Sequence, residues 1–306
     1  MAKKIVVIGA GAAGMMAAIT AGKTADVLLI EKNDRVGKKL FITGKGRCSV
    51  TNAGDADVFF NSVVTNSKFM YSSFYSFDNN MVMDFLEKAS CPLKVERGGR
   101  VFPVSDHSSD VIGAFKTLIN RNHNIKLLTD SKVLQIKCED GQVTGVVIQE
   151  KENKKNREID CDAVIVATGG MSYPLTGSTG DGYKWAEKCG HTIKELSPSL
   201  VPFEIEEKCC RDKNVDLHIK CGKKKIFDEQ GEMLFTHFGI SGPLVIKASA
   251  YIHRYIGKEI ELYIDLKPAM DEQMLDARIQ KDFSKYVNKD FRNSLTDLLP
   301  VKLIQS

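Results

Sequence analysis

With 306 residues, 43% hydrophobic and 27% charged, the chain is long enough for about two domains and has the balance of a globular protein. A formal net charge of +4 is small for this length, so the composition demands neither a nucleic acid nor an anionic membrane as partner. The cysteines at 48, 91, 138, 161, 189, 209, 210 and 221 form no CxxC, zinc spacing or regular framework, which points to free thiols in a reducing compartment, and no apolar run is long enough to span a bilayer.

The first segments, Lys4 to Gly9, Gly11 to Gly22 and Ala25 to Glu31, predict a buried strand, a helix of small and apolar residues, and a second strand. The start of this unit imitates a cleaved leader. Its glycines at fixed spacing suit the helical middle of a leader poorly, so cleavage is not expected and a cytoplasmic protein is. A glycine- and lysine-rich stretch follows, "GKKLFITGKGRCSVTN" (37–52), then a polar and aromatic segment with a helix near Met81 to Ala89. From Lys126, "KLLTD", "KVLQIKCED", "QVTGVVIQEK" and "REIDCDAVIVATGG" alternate in period two and predict a β-meander ending in an apolar strand, Ala163 to Ala167. The lysines of "EKENKKNRE" read as a solvated hairpin tip. Beyond Gly190 come further strand-like runs and one apolar helix, Pro243 to Tyr251, and the tail is helix-patterned. The boundaries expected are 1–190, 191–267 and 268–306.

"GAGAAG" places Gly9, Gly11 and Gly14 as GxGxxG between a strand and a helix, and Glu31 ends the next strand. That context is what a dinucleotide fingerprint requires. Gly9 allows the tight turn, Gly11 lets backbone approach a pyrophosphate, and Gly14 lets helix and sheet pack closely. The helix N-terminus offers free N–H groups to phosphate, and Glu31 would accept bonds from ribose hydroxyls. A purposeless glycine-rich turn is the plain alternative. Glu31 suits NAD and FAD equally. The later meander and "DAVIVATGG", in place of an alternating βαβ array, favour FAD, with Thr168 and Gly169 returning beside the cofactor.

The 37–52 stretch is not a P-loop, because Gly37 and Gly44 are seven apart and Lys45 precedes Gly46. It is not a redox disulfide either, since Cys48 has no neighbour in sequence and reads as packing. The reading left is a loop crossing the flavin, with Gly44 and Gly46 giving backbone access, Arg47 pairing with a phosphate or reduced flavin, and Thr51 and Asn52 fixing the next segment.

"TGKGRCSVTN" resembles the S-G-x-G-R-C-N-x-T-N motif of a bacterial flavoprotein family, with Ser49 where Asn is usual. "GGRVFPVSD", "ATGGMSYPLTGSTGDGY" and "GEMLFTHFGISGP" match its other motifs in order. The family is that of the NAD(P)/FAD-dependent oxidoreductases called aminoacetone-oxidase-like or bile-acid-reductase-like (BaiN-like). The resemblance implies an α/β fold: an FAD-binding, Rossmann-like (glutathione-reductase-like) domain with a β-meander, interrupted by an inserted β-barrel-like domain and a small helical subdomain. It also implies FAD as cofactor, NAD(P)H as electron donor and a small-molecule substrate. Against the family pattern the chain looks C-terminally truncated at Ser306, which puts tight FAD binding by this polypeptide in doubt.

Ala12, Ala13, Lys32, Lys39 and Val133 complete the expected cofactor-binding set. His237, a histidine in a glycine-rich segment, is the acid/base candidate beside Arg47. Arg100 reads equally as a substrate contact or a turn anchor, and Asp181 as a helix cap. Cys209, Cys210 and Cys221 fit no tetrahedral metal pattern, so no metal is expected. A non-catalytic nucleotide-binding sensor or an inactive fragment is the rival reading. An RNA-modifying enzyme would want a basic face and cysteine motifs of its own, and neither is evident.

Overall fold

The computed structural model describes residues 2–152, 154–205, 215–299 and 304. Its contacts divide the chain between Lys194 and Glu195 into two compact units, and the 268–299 segment belongs to the second unit rather than forming a third.

The first unit starts with β1 (Lys4–Ile8), α1 (Ala12–Ala21) and β2 (Asp26–Ile30), followed by α2 (Lys38–Ile42) and β3 (Thr51–Asn52). Then come α3 (Ala56–Ser62), α4 (Tyr71–Ser76), α5 (Asn79–Lys88), β4 (Leu93–Glu96), β5 (Arg100–Pro103), α6 (Ser108–Arg121) and β6 (Ile125–Leu128). β7 (Ser131–Glu139), β8 (Gln142–Glu150), β9 (Asn156–Asp160), β10 (Ala163–Val166) and α7 (Asp181–Lys188) complete it.

A four-stranded parallel sheet runs in the order β10-β1-β2-β6. Strand side chains point alternately to opposite faces. Val7, Val27 and Leu29 therefore join Met15 and Ala18 of α1 and Phe115 and Ile119 of α6 in one core. Val6, Ile8 and Ile30 face the other way, onto Val133, Val146 and Ile148 of the antiparallel β7-β8-β9 meander and Trp185 of α7. The sheet is thus covered by helices on one face and by the meander on the other, which is the Rossmann-like arrangement expected.

One assignment within it is corrected. "KLLTD" was expected to open the meander, but β6 pairs parallel to β2 as the outer strand of the main sheet. Period-two alternation is the same in both kinds of strand, and partner choice here is settled by the α6 crossover, which the sequence reading did not place.

In the second unit, β11 (Phe203–Glu204), β12 (Val215–Cys221), β13 (Lys224–Gly231), β14 (Leu234–Thr236), β15 (Gly239–Ser241) and β16 (Glu261–Asp265) accompany α8 (Pro243–Ile252). The strands form two three-stranded sheets, β13-β12-β16 and β11-β15-β14. Val215, Leu217 and Ile219 alternate inward from β12 and meet Met233, Ile240 and Val245 in a single core. α9 (Glu272–Lys285) and α10 (Phe291–Ser294) follow, α9 capped by the Asp271 carboxylate on the Met274 N–H.

Candidate functional site

The turn from β1 into α1 holds the tightest backbone approach in the first unit. Gly9 adopts φ +99°, and a Cβ there would stand 2.7 Å from the Ala167 carbonyl oxygen. A Cβ on Gly14 would stand 1.8 Å from the Gly9 oxygen, so only glycine lets α1 start this close to the strand. Gly11 differs: a Cβ there would meet nothing within 4 Å. The space beyond Gly11 is a cleft of about 720 Å³, within the usual size of a small-molecule site.

Gly9, Gly11, Ala12, Ala13, Glu31, Lys32, Lys39, Val133, Thr168 and Gly169 all line this cleft. Gly14 does not, and its role is the packing just described. α1 has no side-chain cap among the described residues and no acid in its first turn. Its leading N–H groups and positive dipole end are therefore available to an anion.

Glu31 is buried, and its carboxylate accepts from the Ala10 N–H at 2.8 Å, the Asn33 N–H at 2.9 Å and Asn33 Nδ2 at 2.6 Å. A carboxylate has about four acceptor positions, so these bonds fix its orientation and leave about one for a hydroxyl in the cleft. The lysines of the lining differ in how they are compensated. Lys32 bonds the Thr179 hydroxyl at 2.8 Å and the Asp181 carboxylate at 3.1 Å, and Lys38 pairs with Asp34 at 2.8 Å. Lys39 meets only the Ser172 hydroxyl at 3.3 Å and the face of Tyr173, with no carboxylate in ion-pair range among the described residues. The donor set, an open helix N-terminus with an uncompensated lysine and a buried acceptor, fits a phosphate-bearing nucleotide.

Asp181 was expected to cap its helix. It does not: Gly180 holds the N-cap position with φ +76°, and Asp181 lies inside the first turn, paired with Lys32 and Thr179. Burial pushes its carboxyl up, but the bonds from Lys32 and Thr179 outweigh this and hold it below the ordinary carboxylate range. Ser178, Tyr183 and Trp185 also line the cleft and were not foreseen as site residues. The hydroxyls and glycines of "GSTGDGY" were the available signal. Trp185 is the only tryptophan of the chain, and its indole N–H donates to the Leu134 carbonyl at 3.2 Å.

The basic loop behaves otherwise. Of 43–52, only Thr43 lines the cleft; Gly44, Gly46, Arg47 and Asn52 do not. Arg47 donates to Asp106 from Nε at 2.9 Å and from Nη2 at 2.7 Å, bonds Glu96 as well, and lies 4.1 Å from the centre of the Phe102 ring. The hydrogen bond from Arg47 holds Glu96 low, and those from Lys94 and Arg47 do the same for Asp106. Asn52 bonds the Gly98 carbonyl and the Gly54 N–H, both at 2.8 Å, which makes it a turn holder. Arg100 anchors its own turn through the Arg97 carbonyl at 3.2 Å. Cys48 is fully buried, and burial pushes its thiol up.

His237 is exposed on the β14–β15 turn of the second unit, edge-on to Phe238, and is not among the residues lining the cleft. Among the described residues no cluster of His, Cys, Asp or Glu could hold a metal ion, and no helix is long and apolar enough to cross a membrane. Cys209 and Cys210 lie outside the described residues.

Sheet, glycine turn and cleft define a Rossmann-type nucleotide-binding protein. Residues 3–254 match the family described as HI0933-like protein Rossmann domain, and the chain belongs to that family. It is 29% identical to a 3-dehydro-bile acid delta(4,6)-reductase of Clostridium scindens, over 98% of this chain and 73% of that protein. It is 27% identical to a ribosomal RNA dihydrouridine synthase of Escherichia coli, over 98% of this chain and 72% of that one. A solved E. coli quinol fumarate reductase subunit, FrdA, shares the fold over 71% of this chain with a TM-score of 0.50 at 19% identity. This chain spans 38% of it.

Proposed function

We propose that this protein is a cytoplasmic FAD-dependent oxidoreductase that takes hydride from NADH or NADPH and delivers it to an organic acceptor carrying a carbon–carbon double bond conjugated with a carbonyl. The observation that carries the reading is the convergence on one cleft of an uncapped helix N-terminus, the oriented Glu31 and the uncompensated Lys39. When bound, FAD supplies the two-electron carrier that protein side chains lack.

The chain's own residues hold and orient. The N–H groups at Ala12 and Ala13 and the Lys39 ammonium would take the pyrophosphate. Glu31, already fixed by Ala10 and Asn33, would present its remaining acceptor position to a ribose hydroxyl. Val133, whose side chain is buried in the meander core, lines the same cleft. Gly44, Gly46, Arg47 and Asn52 keep a cofactor-binding role, and Arg47 and His237 a catalytic one, only if substrate or flavin reaches them beyond the cleft's lining.

The acceptor class draws on the relatives' names. A delta(4,6)-reductase removes double bonds from a steroid acid, and dihydrouridine is uridine with its ring double bond saturated. Both names describe hydrogen added across a carbon–carbon double bond. A second reading, with uridine in RNA as the acceptor, is favoured by the relatives named ribosomal RNA dihydrouridine synthase.

Purified protein should be yellow, or quench Trp185 fluorescence on addition of FAD, and its flavin absorbance should bleach anaerobically with NADH or NADPH. Re-oxidation by a conjugated enone completes the test; re-oxidation only by uridine-containing RNA, with dihydrouridine detected by mass, selects the second reading. A protein that stays colourless and shows no Trp185 response to FAD would sink both.

A further inference from the structure

Two thiols meet where the meander packs against the cleft helix. Cys138 stands near the end of β7, beside a register shift between Lys137 and Cys138 that re-aims the side chain. Cys189 is the residue on which α7 ends. The two sulfurs lie 3.3 Å apart, 51 positions distant in sequence, and both are free thiols. Cys138 is exposed and Cys189 half-buried, whereas Cys48, Cys91 and Cys161 are buried. A disulfide holds its sulfurs about 2.05 Å apart, so bonding here needs only about an ångström of closure.

The elements that these thiols would tie both line the cleft. β7 contributes Ser131, Lys132 and Val133, and α7 contributes Asp181, Tyr183 and Trp185. The Trp185–Leu134 hydrogen bond already joins the same two elements noncovalently.

We propose that Cys138 and Cys189 form a reversible disulfide by exchange with a low-molecular-weight disulfide, and that this bond clamps α7 to β7 along one wall of the cleft. The exposed Cys138 thiolate attacks one sulfur of the small disulfide, forming a mixed disulfide and releasing one small thiolate. The Cys189 thiolate then attacks the Cys138 sulfur and releases the second. Two protein thiols give up two electrons and two protons, and the small disulfide leaves as two thiols. In the reduced protein the hydrogen bond with Cys138, together with burial, pushes the Cys189 thiol up, which disfavours Cys189 as the first attacker.

The inference stands on the two thiols and not on which ligand fills the cleft. The test is to incubate the full chain with oxidised glutathione, alkylate, and measure intact mass and linked peptides. The expected result is loss of two of the eight alkylatable thiols, a peptide joining Cys138 to Cys189, and restoration by dithiothreitol. Oxidation should also raise the thermal midpoint of the wild type by several degrees and leave Cys138→Ser and Cys189→Ser unmoved. Persistent glutathione adducts without a cross-link, linkage through Cys209 or Cys210 instead, or a Cys138–Cys189 bond that leaves the midpoint unchanged would each overturn the proposal.

Discussion

The glycine turn at 9–14 and the glycine-rich basic loop at 43–47 share closely spaced glycines and end in opposite states. At the first, backbone donors are left without partners and open onto a cleft. At the second, the cation is closed by Glu96 and Asp106 and laid over Phe102. Glycine next to positive charge is therefore not a ligand site in itself. What distinguishes the two is whether the fold supplies internal partners for the polar groups, since a paired guanidinium must give up bonds before it can gain new ones.

Substitutions can break this contrast at several strengths. Gly14→Val should be the most damaging, because its Cβ would collide with the Gly9 backbone, which cannot rotate away. We expect a loss of about 3 kcal/mol or more, read as a fall in thermal midpoint or as insoluble protein. Glu31→Gln comes next. It replaces one acceptor oxygen with a donor facing the Ala10 or Asn33 N–H groups, at a cost of about 2 kcal/mol by denaturant titration and with weaker nucleotide binding.

Gly11→Ala separates folding from binding. Its Cβ meets no protein atom, so stability should move by no more than about 0.5 kcal/mol. The methyl group projects where a pyrophosphate would approach, and FAD affinity by Trp185 fluorescence should fall about tenfold, near 1.4 kcal/mol. Unchanged affinity would mean that the cleft does not bind phosphate at this turn.

The smallest effects belong to the basic loop. Arg47→Ala should lower the thermal midpoint slightly, more at low salt than at high, without changing nucleotide affinity. A clear loss of affinity would instead return Arg47 to the binding site. The pH dependence has a definite sign. Glu96 and Asp106 are held low in the folded state, so their stabilisation is present above the ordinary carboxylate range and is lost as pH falls through their lowered values. The difference in midpoint between wild type and Asp106→Asn should be full above about pH 5 and shrink below about pH 4.

Misreadings followed the same division between local and distant partners. Asp181 occupies a place in sequence that suits a cap, but Lys32, 149 positions away, takes its carboxylate. Arg47, expected to pair with a phosphate or reduced flavin, has a partner of the same distant kind, Asp106, 59 positions on, which carries no local sign of it. β6 looked like a meander strand because alternation does not record whether the neighbour runs parallel or antiparallel. By contrast, Cys48 was read as packing because no second cysteine stands near it in sequence, and it lies buried in the core of the first unit.

The sequence by itself determined the β1–α1–β2 unit, the need for glycine at 9 and 14, and the place of Glu31. Each follows from backbone sterics or short-range periodicity within about thirty residues. Tertiary structure alone decided which cations keep a free charge, which strands pair, and that Cys138 and Cys189 touch. Those outcomes depend on groups far apart in the chain, and a residue's own neighbours carry no record of them.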